Sequence, residues 1–88
     1  SMTVDIDKNA VLNASFFGVE WKAPQMQGDK RTELTVDIDK NGAPTLVLVS
    51  KSSEVEQYDA RAVDMLWRWK FKPQPDGRQI TIGVNFQH

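Results

Sequence analysis

Two aspartates and a glycine near the middle of the chain have the spacing of a calcium-binding loop. Residues 37–42 read Asp-Ile-Asp-Lys-Asn-Gly, and in such a loop alternate oxygen ligands and a glycine bend surround the ion. The match ends there, because the twelfth position, which should be a bidentate glutamate, is Leu48, and the eighth is Pro44. We therefore favour a turn between two strands over a metal site.

Other residue types that commonly take part in catalysis are few or badly placed in this sequence. Asp5 and Asp7 form a second carboxylate pair like the one at residues 37 and 39. Acid–base catalysis needs the two carboxylates of a pair to have different pKa values, and the lysines that follow the pairs, Lys8 and Lys40, oppose this. The single histidine is the last residue, His88, so a serine nucleophile has no plausible base, and the chain has no cysteine. The five glycines are scattered and form no phosphate-binding loop. The sequence thus predicts no enzyme, no metal site and no cofactor.

Aromatic and basic residues alternate over residues 67–72, a pattern that can stack bases and contact phosphates. On a helix these side chains point in several directions, with Trp69 inward and the cations outward. The chain has 11 basic and 12 acidic residues, so no broad positive field attracts nucleic acid. We therefore expect a protein partner. Trp67 either packs against the N-terminal segment, which we favour, or is an exposed anchor for that partner.

Length and composition are those of one small globular domain. The 88 residues are 40% hydrophobic and 26% charged, which favours neither disorder nor a coiled coil. No apolar run approaches the roughly 18 residues that span a bilayer, so we expect no direct membrane insertion. Residues 1–2, Ser-Met, are typical of a purification-tag remnant, and we expect the natural chain to extend upstream.

An internal repeat indicates two similar strand starts. Residues 3–9, Thr-Val-Asp-Ile-Asp-Lys-Asn, recur letter for letter as residues 35–41. The first copy leads into a segment that carries the apolar residues Val11, Leu12, Phe16, Phe17, Val19 and Trp21. We predict a hairpin in this N-terminal part of the chain.

The second copy of the repeat predicts a hairpin more strongly. Apolar and polar residues alternate over residues 33–39, the pattern of a strand with one buried face. Asn41 and Gly42 then supply residues that accept a positive φ, and a β-rich run follows at residues 46–49.

After Ser52-Ser53 the apolar residues recur every three or four positions, which predicts one helix. Ser53, with Glu56 in a capping box, or Asp59 starts this helix, and we favour Asp59. Pro73 should end it near Phe71. The predicted core residues of the hairpin and the helix are Val36, Ile38, Ala62, Leu66, Trp69 and Phe71.

A turn at Pro75-Asp76-Gly77 leads into a closing strand. Its inward residues should be Ile80, Ile82, Val84 and Phe86, and its outward residues Gln79, Thr81, Gly83 and Asn85. The fold class that follows is α+β: a small antiparallel sheet from hairpin, helix and closing strand (ββαβ), with an additional N-terminal strand or hairpin, in one compact domain.

This order of motifs resembles the C-terminal domain of the TonB family. The resemblance covers about residues 33–86 and is carried by Asp39-Lys40-Asn41-Gly42, Val47-Leu48-Val49, Ser52-Ser53, Asp59, Ala62, Trp69, Phe71, Pro73 and the strand from Ile80 to Phe86. It divides the chain into a tag remnant (1–2), an N-terminal extension (3–32) and a TonB-like domain (33–88). Glu54 stands where the family tends to have glycine, so we expect the loop there to differ.

The resemblance implies a periplasmic domain that couples inner-membrane energy to outer-membrane transport in Gram-negative bacteria. Its partner would be a TonB-dependent transporter or another envelope protein, bound as an added β-strand. Carried onto this chain, the binding edge is the closing strand, Gln79, Ile80, Thr81, Ile82, Gly83, Val84, Asn85 and Phe86. A full transducer also has a membrane anchor, so we interpret this chain as an excised domain or a divergent relative.

Two points stay open at this level. The first strand copies its twin, so it can take the place of residues 35–41 in a neighbouring molecule, and the alternative function is a self-associating assembly domain of an envelope or secretion protein, such as a homodimer. The sequence also leaves open whether the N-terminal segment covers the edge at residues 79–86.

Overall fold

The computed structural model describes residues 2–6, 11–13, 28–73 and 75–87, and of residues 11–13 it describes the backbone alone. The elements within these ranges are β1 (Met2–Asp5), β2 (Val11–Asn13), β3 (Lys30–Ile38), β4 (Pro44–Lys51), α1 (Glu56–Trp67), β5 (Lys70–Phe71) and β6 (Arg78–Phe86). The predicted α+β class is confirmed.

Four of the strands form an antiparallel sheet in the order β1-β6-β3-β4. The predicted hairpin of β3 and β4 is present, with Val36 opposite Val47. The closing strand β6 pairs with β3 along its whole length, from Phe86 opposite Lys30 to Arg78 opposite Ile38. On its other side β6 pairs with β1. The closing strand therefore has neighbouring strands on both sides along residues 83–86.

The turn between β3 and β4 depends on Gly42 and Asp39. Gly42 has a φ of 86°, which favours glycine, and it donates its N–H to the Asp39 carbonyl at 3.0 Å. The Asp39 carboxylate accepts the N–H groups of Asn41 at 2.8 Å and Ala43 at 2.9 Å. The turn lies where Asn41-Gly42 predicts it, but only Gly42 has the positive φ.

The helix is shifted toward the N-terminus relative to its predicted position. It begins at Glu56, with Val55 as an N-cap residue that makes no side-chain cap bond, so the prediction of Asp59 as the start is wrong. It ends at Trp67 instead of near Phe71. The reason is tertiary: Phe71 donates its N–H to the Gly42 carbonyl at 3.0 Å, and β5 pairs with β2, so this segment is extended.

The core lies between the helix and one face of the sheet. Its fully buried side chains include Leu34 and Val36 of β3 and Ile82 and Val84 of β6. The ring of Tyr58 stacks on that of Phe86, with centroids 4.5 Å apart. The buried apolar residues are Leu34, Val36, Ile38, Val47, Tyr58, Ala62, Met65, Leu66, Trp69, Phe71, Ile80, Ile82, Val84 and Phe86.

The N-terminal segment contributes a strand, as predicted, but β1 and β2 do not pair with each other. β1 joins the main sheet beside β6, and β2 joins β5 in a separate two-stranded sheet. Within the described residues the two strands therefore have other partners, β6 for β1 and β5 for β2. Residues 7–10 and 14–23, which that prediction also includes, lie outside the described ranges, so the hairpin stays a prediction.

Candidate protein-binding edge

All eight residues of the predicted binding edge lie in β6. The apolar ones face the helix and are buried. Gln79 and Thr81 are exposed on the opposite face of the sheet, Asn85 on that face is half-buried, and Gly83 is buried. The alternation that the sequence predicts for this strand is therefore present, except that Gly83 is covered.

The outer edge of β6 is divided into two halves. β1 pairs with residues 83–86, from Asp5 opposite Gly83 to Met2 opposite Phe86; we call this the covered half. Residues 79–82 pair with β3 on one side, and no strand in the described parts of the chain pairs with their other side. These four residues form the open half.

A polar cluster fastens β1 to the outer face of the sheet. Arg31 of β3 lies opposite Asn85, and its Nη1 donates to the Asn85 side-chain carbonyl at 2.7 Å and to the Asp5 carboxylate at 2.5 Å. Asn85 Nδ2 donates to Asp5 at 3.0 Å and to the Thr3 hydroxyl at 3.3 Å. Arg31 Nε also points to Glu33 at 3.4 Å. Three strands are thus joined by side chains as well as by their backbones.

Gly83 makes this cluster possible. Asp5 and Arg31 belong to strands on opposite sides of β6, and the Arg31 side chain reaches Asp5 by lying across Gly83. A Cβ at position 83 would overlap the Arg31 guanidinium group. Glycine inside a strand often marks such a close approach, a signal that the sequence contains, although nothing in it identifies Arg31 as the neighbour.

Electrostatics support the same arrangement. The hydrogen bonds from Asn85 and then from Arg31 lower the pKa of Asp5, and the hydrogen bond to Asp5 raises the pKa of Arg31. Both groups therefore stay charged through neutral pH. The pair is solvent-accessible, with 41% of the Arg31 side chain and 64% of the Asp5 side chain exposed, so we expect salt to weaken it.

Asp59 positions the helix that packs on the inner face of the sheet. Its Oδ1 accepts hydrogen bonds from the buried Thr32 hydroxyl at 2.8 Å, the Ser53 N–H at 2.9 Å and the Ser53 hydroxyl at 2.8 Å, while Oδ2 accepts one from Ser52. Burial raises the pKa of Asp59, but the bonds from Ser52, Ser53 and Thr32 outweigh it and lower the pKa overall. The aspartate therefore joins β3, the loop and α1, rather than starting the helix.

Glu54 adopts the backbone conformation of a glycine within that loop. Its φ of 69° lies in the left-handed region, and its N–H donates to the Ser52 hydroxyl at 2.9 Å. Glu54 thus has a backbone conformation that favours glycine, the residue that the resemblance places here, and the expectation that the loop differs from the family's stays a prediction.

The two aspartates of the motif that resembles a calcium loop stabilise the sheet and the hairpin turn. Asp37 accepts a hydrogen bond from Gln79 at 2.8 Å, and Asp39 holds the hairpin turn. Within the described residues no group of three or more histidine, cysteine, aspartate or glutamate side chains is arranged to hold a metal ion. An open groove of about 690 Å³ runs past these residues to the start of the open half, lined by Asp37, Ile38, Asp39, Lys40, Pro75, Asp76, Gly77, Arg78 and Gln79.

The opposite border of the sheet is apolar. β4 exposes Leu46 (41%), Leu48 (52%) and Val49 (38%), and the described parts of the chain place no strand on its outer side. Trp67, at the end of α1, is 44% exposed. Its expected packing against the N-terminal hairpin stays a prediction, because most of that hairpin lies outside the described ranges.

Comparison with known proteins identifies the family of this chain. The sequence model of the Gram-negative bacterial TonB protein C-terminal family matches residues 22–87, three quarters of the chain. No curated protein and no solved structure matches the chain. In the described residues no helix is long and apolar enough to cross a membrane. The chain therefore belongs to the TonB C-terminal family, whose members are periplasmic protein-interaction domains of the Gram-negative cell envelope.

Proposed function

We propose that this chain is a periplasmic binding module that takes an extended segment of an outer-membrane transporter, or of another envelope protein, onto the outer edge of β6. The observation that carries the proposal is the open half of that edge. Residues 79–82 continue the sheet with backbone groups that no described strand pairs on that side. Such groups are a template for an added strand.

The side chains around the open half suit an alternating segment. An added strand would place every second residue beside Ile80 and Ile82, on the helix side of the sheet, and the others beside Gln79 and Thr81, which are exposed. Backbone pairing supplies affinity without regard to sequence, and the two rows of side chains supply selection. An extended segment with apolar residues at alternate positions fits this edge.

The acidic residues support a binding role rather than catalysis. Asp37, Asp39 and Asp59 each accept hydrogen bonds that hold a turn, a strand pair or a loop in place. Carboxylates that accept hydrogen bonds in this way hold elements of the fold together. We therefore propose that the domain acts without chemistry of its own.

An amide NMR titration tests the proposal directly. The ¹⁵N-labelled chain is titrated with extended peptides, and we expect saturable shifts that concentrate on residues 79–86. Each peptide is also made in two N-methylated forms, with alternate amides blocked in either of the two registers. Only one form should lose binding, because an edge strand directs alternate N–H groups to its neighbour. Equal loss in both forms, or shifts centred on β4, would refute strand addition at β6.

A second candidate function is self-association through β4. The exposed leucines on this border, Leu46 and Leu48, favour it, because an apolar edge strand readily pairs with another copy. Sedimentation velocity at rising concentration tests this idea. We expect Leu48→Lys to reduce any association, while Thr81→Lys, on the same face of β6, serves as the matched control. A monomer at all concentrations eliminates this candidate.

A further inference from the structure

β1 occupies the edge that the proposed partner would use. It is only four residues long, and it lies on the covered half in antiparallel register. Short strands at the border of a sheet have few contacts and open readily compared with the core. Any segment that pairs with all of residues 79–86 must therefore remove β1 first. β1 also shows which side chains the covered half accepts.

The two faces of β1 make different contacts. Met2 and Val4 face the helix side and pack against the hydrophobic core as partly buried residues. Thr3 and Asp5 lie on the outer face of the sheet, where the Asn85 side chain donates hydrogen bonds to both of them. The covered half thus holds apolar side chains on one face, and a hydroxyl and a carboxylate on the other.

Two of the contacts of Arg31 are independent of β1. Its contacts to Asn85 and Glu33 belong to β6 and β3 and do not depend on β1. Gly83 leaves room for the guanidinium group to lie across β6 toward the vacated edge. A guanidinium group held at this place is a donor for a planar acceptor such as a carboxylate.

We propose that β1 is a resident mimic of the partner segment, and that Arg31 selects incoming extended segments that place a carboxylate opposite Gly83. This inference rests on the proposed strand addition and adds the chemistry of the partner. The segment is extended and carries apolar residues on the helix side of the sheet. On the outer face it carries an aspartate or glutamate at one fixed position. Arg31 is then a specificity-determining residue of the edge.

The test uses the full chain and two synthetic peptides. One is the capped peptide Met-Thr-Val-Asp-Ile-Asp-Lys, which copies residues 2–8 and so contains β1, and the other has asparagine in place of its first aspartate. Asp5→Lys releases β1 by placing a cation beside Arg31, and Asp64→Lys, on the exposed side of α1, makes the same charge change elsewhere. If β1 is detached one tenth of the time in the wild type, its release tightens peptide binding about tenfold.

The expected result is a specific pattern of affinities. Asp5→Lys binds the aspartate peptide about tenfold tighter than the wild type or Asp64→Lys does. It prefers aspartate over asparagine by about two- to fivefold, the range of exposed ion pairs. That preference disappears when Arg31→Gln is added, and it falls in Gly83→Ala, whose Cβ displaces the guanidinium group.

Each contrary result identifies the step that fails. Equal affinities for the two peptides overturn selection by Arg31 and leave strand addition in place. Equal affinities of Asp5→Lys and Asp64→Lys for the aspartate peptide overturn the role of β1. If no extended peptide of any charge shifts residues 79–86 in any variant, the proposed function fails as well. The dispersed amide spectrum of each variant confirms that it is folded before binding is measured.

Discussion

Replacing Asp59 by alanine should be among the most damaging single changes in this domain. The carboxylate accepts hydrogen bonds from Thr32, Ser52 and Ser53 and so joins β3, the loop before the helix and the helix itself. In Asp59→Ala these donors lose their acceptor. Thr32 is fully buried and Ser53 is 6% exposed, so water cannot easily replace it.

The size of the effect follows from these bonds. An unsatisfied buried donor costs about 1–3 kcal/mol, and Ser53 also keeps a second bond from its hydroxyl to the Val55 carbonyl. Ser52 is exposed and contributes little. We therefore expect the free energy of unfolding to fall by about 2–4 kcal/mol, a large share of the roughly 4–13 kcal/mol typical of an 88-residue domain.

Urea denaturation followed by tryptophan fluorescence measures this loss. The control is Asp64→Ala, the same substitution on the same helix, where the carboxylate is 50% exposed and pairs with Arg61 and Arg68. It should change the free energy of unfolding by no more than about 0.5 kcal/mol. Thr32→Val, which keeps the buried volume but removes the donor, should lessen the effect of a subsequent Asp59→Ala. Similar costs for Asp59→Ala and Asp64→Ala would refute the role given to Asp59.

Three further predictions concern stability. Trp69→Ala should cost about 3–5 kcal/mol, since Trp69 is only 8% exposed and contacts Phe71 in the core, and Trp67→Ala, at an exposed position, should cost less than half as much in the same urea experiment. Glu54→Gly should raise the free energy of unfolding by up to about 1 kcal/mol, because it relieves a left-handed non-glycine residue; a lower melting temperature contradicts this. The folded pKa of Asp59 is lowered, so its stabilisation is complete above the unfolded value of about 3.9 and is lost as pH falls through the folded pKa. The difference in the free energy of unfolding between the wild type and Asp59→Ala should therefore shrink below about pH 4. A difference at pH 2 as large as at neutral pH contradicts that linkage.

The strands and the turns were predictable because their signals are local. Alternation along residues 33–39 and 79–86 depends on which face of a strand is buried, and the structure retains it. Gly42 and Gly77 have positive φ values in the turns that the sequence predicts. The letter-for-letter repeat gave two strands with the same alternation, β1 and the end of β3.

The helix bounds and the strand order were not predictable, because they depend on distant contacts. The apolar stripe continues to Trp69, but the Gly42 carbonyl takes the N–H of Phe71 and draws that segment away from the helix. Likewise, the pairing of β1 with β6 joins residues about 80 positions apart. Nothing local to Arg31 marks it as the neighbour of Gly83, since the two meet only through the register of β3 and β6.

The most direct test of the central claim is disulfide cross-linking at the open half. The chain has no cysteine, so Thr81→Cys introduces a single thiol at an exposed position of β6, and Leu48→Cys places one on the opposite border as a control. Transporter-derived peptides carry one cysteine at successive positions. Only directly opposed residues of paired strands lie within disulfide reach, so Thr81→Cys should cross-link best to one peptide position, weakly two positions away on the same face and not at the positions between, and Leu48→Cys to none. Cross-linking without this alternation, or equal yields at both borders, contradicts strand addition at β6.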